Sequence, residues 1–178
     1  MRLAKIAIIA AITLTLILIF TNIFNTPKKQ DLQDAFISVK TVKLYKNTTA
    51  PTPILSEQKN RIEDAIIYSA KGNDISYTVT YVKYKAAGFK LSDAVPVIAR
   101  MFKNNDFSYE TAEFNQGETE GILITGSYIL NGQDYGIMAK LFKNENNFWQ
   151  AIVIYQDSER NVKTAQDFIK SAAIKLQI

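Results

Sequence analysis

The sequence predicts an α+β fold: an antiparallel sheet sandwiched by helices and preceded by an N-terminal transmembrane helix. Three observations carry that expectation. Alternating runs flank Asn131-Gly132 in GILITGSYILNGQDYGIMAKLF, the signal of a two-residue hairpin turn. Apolar residues recur at helical spacing in LSDAVPVIARMFKNND and SERNVKTAQDFIKSAAI. An uncharged run, Ile6 to Phe24, opens the chain. The expected organisation is 1–24 as a signal-anchor, 25–53 as a juxtamembrane region and linker, and 54–178 as the globular domain.

The opening run holds seven Ile, three Leu and two Phe, with three Ala, three Thr and Asn22. As a helix it spans about 28 Å, close to the roughly 30 Å hydrocarbon core of a bilayer. Its Leu, Ile and Phe favour insertion by about 4–7 kcal/mol, which the three Thr and one Asn offset only in part. A cleaved signal has a shorter apolar core and a small-x-small cleavage site; the exit TNIFNTPKK has none. The reading is an uncleaved signal-anchor, with cleavage at an atypical site as its competitor and a core helix as the bland reading. Arg2 and Lys5 before the run and Lys28 and Lys29 after it nearly balance the positive-inside bias. The short basic leader resembles an export n-region and favours a cytoplasmic tail with the C-terminal domain extracytoplasmic, in a bacterial-type envelope.

Composition narrows the chemistry. The formal charge is +4, from 21 basic and 17 acidic residues, but Arg2, Lys5, Lys28 and Lys29 supply the whole excess. The domain beyond residue 30 is formally neutral, so no nucleic-acid partner is expected; the basic residues sit beside the lipid, where anionic headgroups account for them. The chain has no His and no Cys. That removes Ser-His-Asp and Cys nucleophile chemistry, His- or Cys-bound metals, disulfides and lipid-modified Cys. Any catalysis must rest on Asp, Glu, Lys, Tyr or Ser, which weighs against an enzyme. No catalytic residue, cofactor or metal ligand is assigned.

The elements follow in order. DAFISVKTVKLYK is a juxtamembrane helix or a first strand, since Phe36, Val39, Val42 and Leu44 fit neither period. NTTAPTP is a loop, with Pro51 and Pro53 imposing extended neighbours, and Asn47-Thr48-Thr49 is formally a glycosylation sequon. A short helix is expected in SEQKN. RIEDAIIYSAKGNDISYTVTYVKYK reads as a hairpin through Gly72-Asn73, with Ile75, Tyr77, Val79 and Tyr81 on one face of its second arm. The helix 92–104 takes Ser92 as N-cap and Asp93 at the positive end of its dipole, and ends at Asn104-Asn105.

The Asn131-Gly132 turn dictates register. Tyr128 faces Tyr135, Gly126 faces Ile137, Ile124 faces Ala139 and Ile122 faces Leu141. FWQAIVIYQ then returns across Asn144–Asn147, placing Ile152 and Ile154 beside Ala139 and Ile137, Trp149 beside Phe142, Val153 beside Met138 and Tyr155 over Gly136. Both sheet faces are therefore apolar and each needs a cover, which the two amphipathic helices can provide. Val162, Ala165, Phe168, Ile169 and Ala172 form the stripe of the last one.

This order resembles PsbP-like sandwich domains: a Gly-led strand from Gly121 to Leu130, a hairpin, FWQAIVIYQ, and a closing helix that returns to the sheet through Ser171 to Ile174. The similarity spans about 55–178. It implies an α/β/α sandwich around an antiparallel sheet, with partner binding or no assigned activity, and carries over no functional residue.

Three features are candidate sites. Glu110, Glu113, Glu118 and Glu120 gather around a turn at Gln116-Gly117; Glu118 and Glu120 on one strand face, about 7 Å apart, suit acid–base or Ca²⁺ chemistry. Against that stands a solvated hairpin end that keeps the sheet soluble, the favoured reading. Tyr77, Tyr81 and Tyr84 interleave with Lys83, Lys85 and Lys90, as for stacking on bases or sugars, or as an edge strand guarded by lysines. The single Trp149 is a surface anchor or, more in keeping with its apolar neighbours, core.

The sequence thus points to a membrane-anchored, non-catalytic domain of protein- or ligand-binding type. Residues 6–24 meet membrane lipid, an envelope protein is the expected partner, and any small-molecule ligand is unspecified. A carboxylate-based envelope hydrolase using Glu110–Glu120 is the alternative.

Overall fold

A computed structural model describes residues 27–47, 59–86, 88–102, 107–117 and 119–175. Among them the chain is mostly antiparallel sheet with two helices, a sheet-rich α+β fold. The strands are β1 (Lys28–Leu32), β2 (Ile37–Thr41), β3 (Tyr45–Lys46), β4 (Ile62–Lys71), β5 (Ile75–Tyr84), β6 (Ser108–Gln116), β7 (Thr119–Leu130), β8 (Gln133–Asn144), β9 (Asn147–Gln156) and β10 (Ala173–Ile174). Helices α1 (Ala94–Met101) and α2 (Glu159–Ser171) complete the set. Seven strands form one sheet in the order β3-β4-β5-β9-β8-β7-β6, and three form a second in the order β1-β2-β10.

Local chemistry sets the register of the large sheet. Asn131 and Gly132 both have positive φ, +53° and +75°, as a type I′ turn requires. The pairs Tyr128 with Tyr135, Gly126 with Ile137 and Ile122 with Leu141 follow from it. So do Ile137 with Ile154, Met138 with Val153, Gly136 with Tyr155 and Phe142 with Trp149. The β4–β5 hairpin also forms, closed where Gly72 N–H donates to the Ile75 carbonyl over 2.8 Å.

Both faces of this sheet are covered. On one, Tyr77, Val79, Phe142, Trp149 and Val153 pack against Ala165, Phe168 and Ile169 of α2 and against Ile37 and Val39 of β2. Ser158 caps α2 as its N-cap, its hydroxyl accepting from Asn161 N–H. On the other, Val82, Ile122, Ile124, Ile137 and Ile152 pack against Ala94, Ile98 and Phe102. One cover is thus a helix joined by a small sheet, and the other a helix of eight residues.

Several expectations differ from what is found. The segment 25–53, expected as a linker, supplies Leu32, Ala35, Ile37, Val39 and Leu44 to the main core. Its apolar residues sit at alternate positions only within five-residue strands, too short to show a period. Ser92 does not cap α1: Leu91–Asp93 is a 3₁₀ turn leading straight into it, and no side chain caps either start. That tight turn stacks Leu91 on Ala94, three residues on, and buries both. Lys59–Arg61 is likewise only a 3₁₀ turn. The run 6–24, Thr48-Thr49, Pro51, Pro53, the start of SEQKN, Asn104-Asn105 and Glu118 lie outside the described residues. No helix among the described residues is long and apolar enough to cross a membrane.

Candidate functional site

A recess of about 800 Å³ opens where the N-terminal strands meet one end of the large sheet. Its base is aromatic. Phe36 meets Tyr81 edge-on with centroids 5.5 Å apart, and Tyr81 lies 5.6 Å from Trp149. Trp149 and Tyr81 are buried, so Phe36 presents the ring that solvent reaches.

Phe36 has φ +51°, in the left-handed region that costs a non-glycine residue on the order of 1–3 kcal/mol. Four contacts hold it there. Its N–H donates to the Gln33 carbonyl over 3.1 Å and its carbonyl accepts from Lys175 N–H over 2.8 Å. The indole Nε1–H of Trp149 donates to the buried Ala35 carbonyl over 2.7 Å. The edge-on contact with Tyr81 is the fourth. Across the recess, Glu145 also has positive φ, +53°, in the two-residue turn between Asn144 and Asn147. The Tyr81 hydroxyl donates to Asn147 Oδ1 over 2.8 Å, tying that turn to β5.

The rim alternates in sign. Lys46 pairs with Asp34 at 2.8 Å, Lys83 with Glu63 at 2.8 Å and Lys175 with Asp31 at 2.7 Å. The Lys46 hydrogen bond holds the Asp34 carboxyl below the usual carboxylate range, and the same bond raises the Lys46 ammonium. Lys175 lowers Asp31 in the same way, and Glu63 raises Lys83. Burial pushes the Tyr81 phenol up. The lowered Asp31 and Asp34 carboxyls and the raised Lys46 and Lys83 ammonium groups are thus charged at neutral pH, and the raised Tyr81 phenol is neutral. The arrangement suits recognition of a polar partner by ion pairs and ring contact; none of these shifts brings its group towards neutrality for proton transfer.

The sequence candidates fall elsewhere. Glu110 pairs with Thr125 on the α2 face, whereas Glu113 pairs with Ile122 and shares the other face with Glu120. Glu120 lies 3.9 Å from Lys143. The cluster that the alternative reading needs is thereby divided between faces over its described part. Tyr77, Tyr81 and Tyr84 are core residues, and their strand is interior, between β4 and β9. Both readings of that strand, stacking platform and guarded edge, are corrected. Lys83 reaches Glu63, Lys85 donates to the Asn60 carbonyl and Lys90 lies beside the Glu113–Glu120 groove. Trp149 is core, 3% exposed.

Sequence reasoning missed Asp34, Phe36, Lys46, Glu145 and Lys175. No local pattern joins them, because the recess exists only once β2, β5 and the β8–β9 turn meet. Among the described residues no group of three or more acidic side chains is placed to hold a metal ion.

The chain matches no known protein-family model and no curated protein. It is similar to a solved Pseudomonas aeruginosa protein of unknown function, described as a putative regulator, at 9% identity and TM-score 0.41 over 79% of this chain and 89% of that one. It is also similar to LpqN of Mycobacterium tuberculosis, described as involved in cell envelope biogenesis, at 13% identity and TM-score 0.47 over 84% and 90%. Likenesses of this degree carry no argument about what the chain does. The class that the fold defines is a sheet-rich α+β domain with a recess at one end.

Proposed function

We propose that the chain is a single-span, membrane-anchored extracytoplasmic domain that binds an envelope protein through the recess at Phe36. The observation that carries this reading is directional. The chain enters β1 at Lys28 and reaches the recess past Leu32, about 13 Å further along the strand. A span at 6–24 would therefore hold the recess on the side turned away from the bilayer, open to a partner. The paired charges along its rim and the half-buried ring of Phe36 are the means of recognition.

A PsbP-like relationship belongs to the same proposal. A large antiparallel sheet covered on both faces supports it, and the three-stranded sheet within one cover departs from it.

The test is site-specific photo-cross-linking in intact cells, with the probe at Glu145 on the rim or at Thr111 on distant β6. Adducts are expected from Glu145 alone, on a chain that alkaline carbonate does not extract, and are lost when Lys46 and Lys83 become Glu. Equal adducts from both positions would sink the recess, and extraction by carbonate would sink the anchor. For the hydrolase alternative, Glu118→Gln with Glu120→Gln is compared with the parent by thermal stability, with and without calcium or glycans. A ligand shift present only in the parent would favour that alternative.

A further inference from the structure

The opposite end of the fold raises a separate question, because two features there lack partners. The first is electrostatic. In the small sheet Lys29 stands directly opposite Lys40, both exposed, and like charges directly opposite one another are unfavourable. The ion pairs among the described residues take up Lys46, Lys83, Lys143 and Lys175, and neither of these two lysines. The second is apolar. Ile129 and Leu130, immediately before the Asn131-Gly132 turn, are 51% and 40% exposed.

Register places both features at one end of the molecule. Thr41, paired with Lys28, adjoins the Tyr77 phenol without hydrogen-bonding it. Tyr77 is level with Val153, Val153 with Met138 and Met138 with Thr125. From Thr125 the β7 strand runs on to Asn131, carrying the hairpin tip roughly 20 Å past that level. Between Phe24 and Lys28 the chain reaches at most about 14 Å. The tip thus projects further than the tether is long. A domain held by residues 6–24 meets the surface with this tip unless its sheet leans away.

We propose that this end of the domain rests on the bilayer, with Ile129 and Leu130 entering the interfacial zone and the Lys29–Lys40 pair facing anionic phospholipid headgroups. The proposal rests on the anchored reading above. Asp74, Asp134 and Asp157 lie at the same end of the large sheet. They offset exposed Lys71 beside them and so weight the attraction for anionic lipid towards the small sheet, where each lysine near such a surface strengthens binding on the order of fivefold, leaving the tip to act through apolar contact.

Absence of Cys makes the test direct. Leu130→Cys carries an environment-sensitive fluorophore on the full chain, embedded in nanodiscs of phosphatidylcholine with or without one third phosphatidylglycerol. A Glu145→Cys label at the recess is the control. The expected result is a blue shift and quenching by spin-labelled lipid at position 130 only. It should be stronger with phosphatidylglycerol and weakened there, but not in the neutral discs, by Lys29→Gln with Lys40→Gln. A chain that stays in the discs with position 130 as solvated as position 145 overturns the lipid contact and leaves the anchor standing. A chain that leaves the discs overturns the anchor. The same label on added vesicles of those lipids then decides the lipid contact, with a shift supporting it and none ending it.

Discussion

Trp149 shows how one polar atom can govern a whole segment. Its ring is buried beside Tyr81 and Phe142, but its distinctive contribution is the Nε1–H bond to the Ala35 carbonyl, in a residue with no exposed surface. Trp149→Phe keeps an aromatic ring and removes the donor. Leaving a buried carbonyl without that partner costs about 1–3 kcal/mol. The urea midpoint followed by circular dichroism should fall accordingly, with the slope unchanged. An unchanged midpoint would mean that the 33–36 turn is held by its backbone bonds alone. Lys140 is a second such residue: half-buried, its ammonium lies 5.2 Å and 5.0 Å from the ring centres of Phe114 and Phe142 and donates to the Ala172 carbonyl at the end of α2. Burial pushes its pKa down, while a cation at a helix C-terminus is favoured by the dipole.

At the scale of elements, β6 stands out as an edge. It pairs with β7 over nine consecutive positions without a bulge, and among the described residues no strand pairs with its other side. Eight of those nine residues are exposed, and the strand contains neither Lys nor Pro. Glu110 and Glu113 face opposite sides of it, so each face carries one charge against edge-to-edge pairing. This is the solvated, solubility-preserving reading of the glutamate cluster, now with a place in the sheet. Glu110→Val with Glu113→Val should leave thermal stability within about 0.5 kcal/mol, as for exposed sites. Concentration-dependent association should rise above that of the parent in sedimentation velocity. Identical sedimentation at every concentration would show that backbone geometry alone protects the edge.

At the scale of the molecule, ion pairs as well as apolar packing reinforce the small sheet: one closes it on itself and one ties its connecting turn to the large sheet. Lys175 joins the C-terminal segment to Asp31 of β1, and Lys46 of β3 joins Asp34. Both carboxyls titrate below their ordinary value in the folded chain, chiefly through these lysine hydrogen bonds. As pH falls, the unfolded segment therefore binds protons before the folded one does. The stabilisation is present above the ordinary value of about 3.9 and is lost as pH drops through the lowered values. Hydrogen exchange at about pH 5 and about pH 2.5, corrected for intrinsic rates, should show β1 and β2 losing protection ahead of β7 and β8. Asp31→Asn with Asp34→Asn should already show that difference at the higher pH. Uniform loss across both sheets would mean that these pairs do not hold the segment.

What the sequence alone determined is whatever depends on short range. Asn131-Gly132 dictated a turn, the turn dictated a register, and alternation then named the residues of both faces from Ile122 to Tyr155. The spacing of Ala165, Phe168 and Ile169 announced a helix with one buried stripe. Tertiary structure alone decided the rest. Leu32, Ile37 and Val39 became core because strands of five residues gain their partners from distant β5 and α2, and a run that short shows no period. Tyr77, Tyr81 and Tyr84 became buried because β4 and β9 enclose their strand, which composition cannot reveal. The recess at Phe36 arises where three segments far apart in the chain converge. Closing such long loops is governed by the summed burial of both cores, a property of no single stretch of residues.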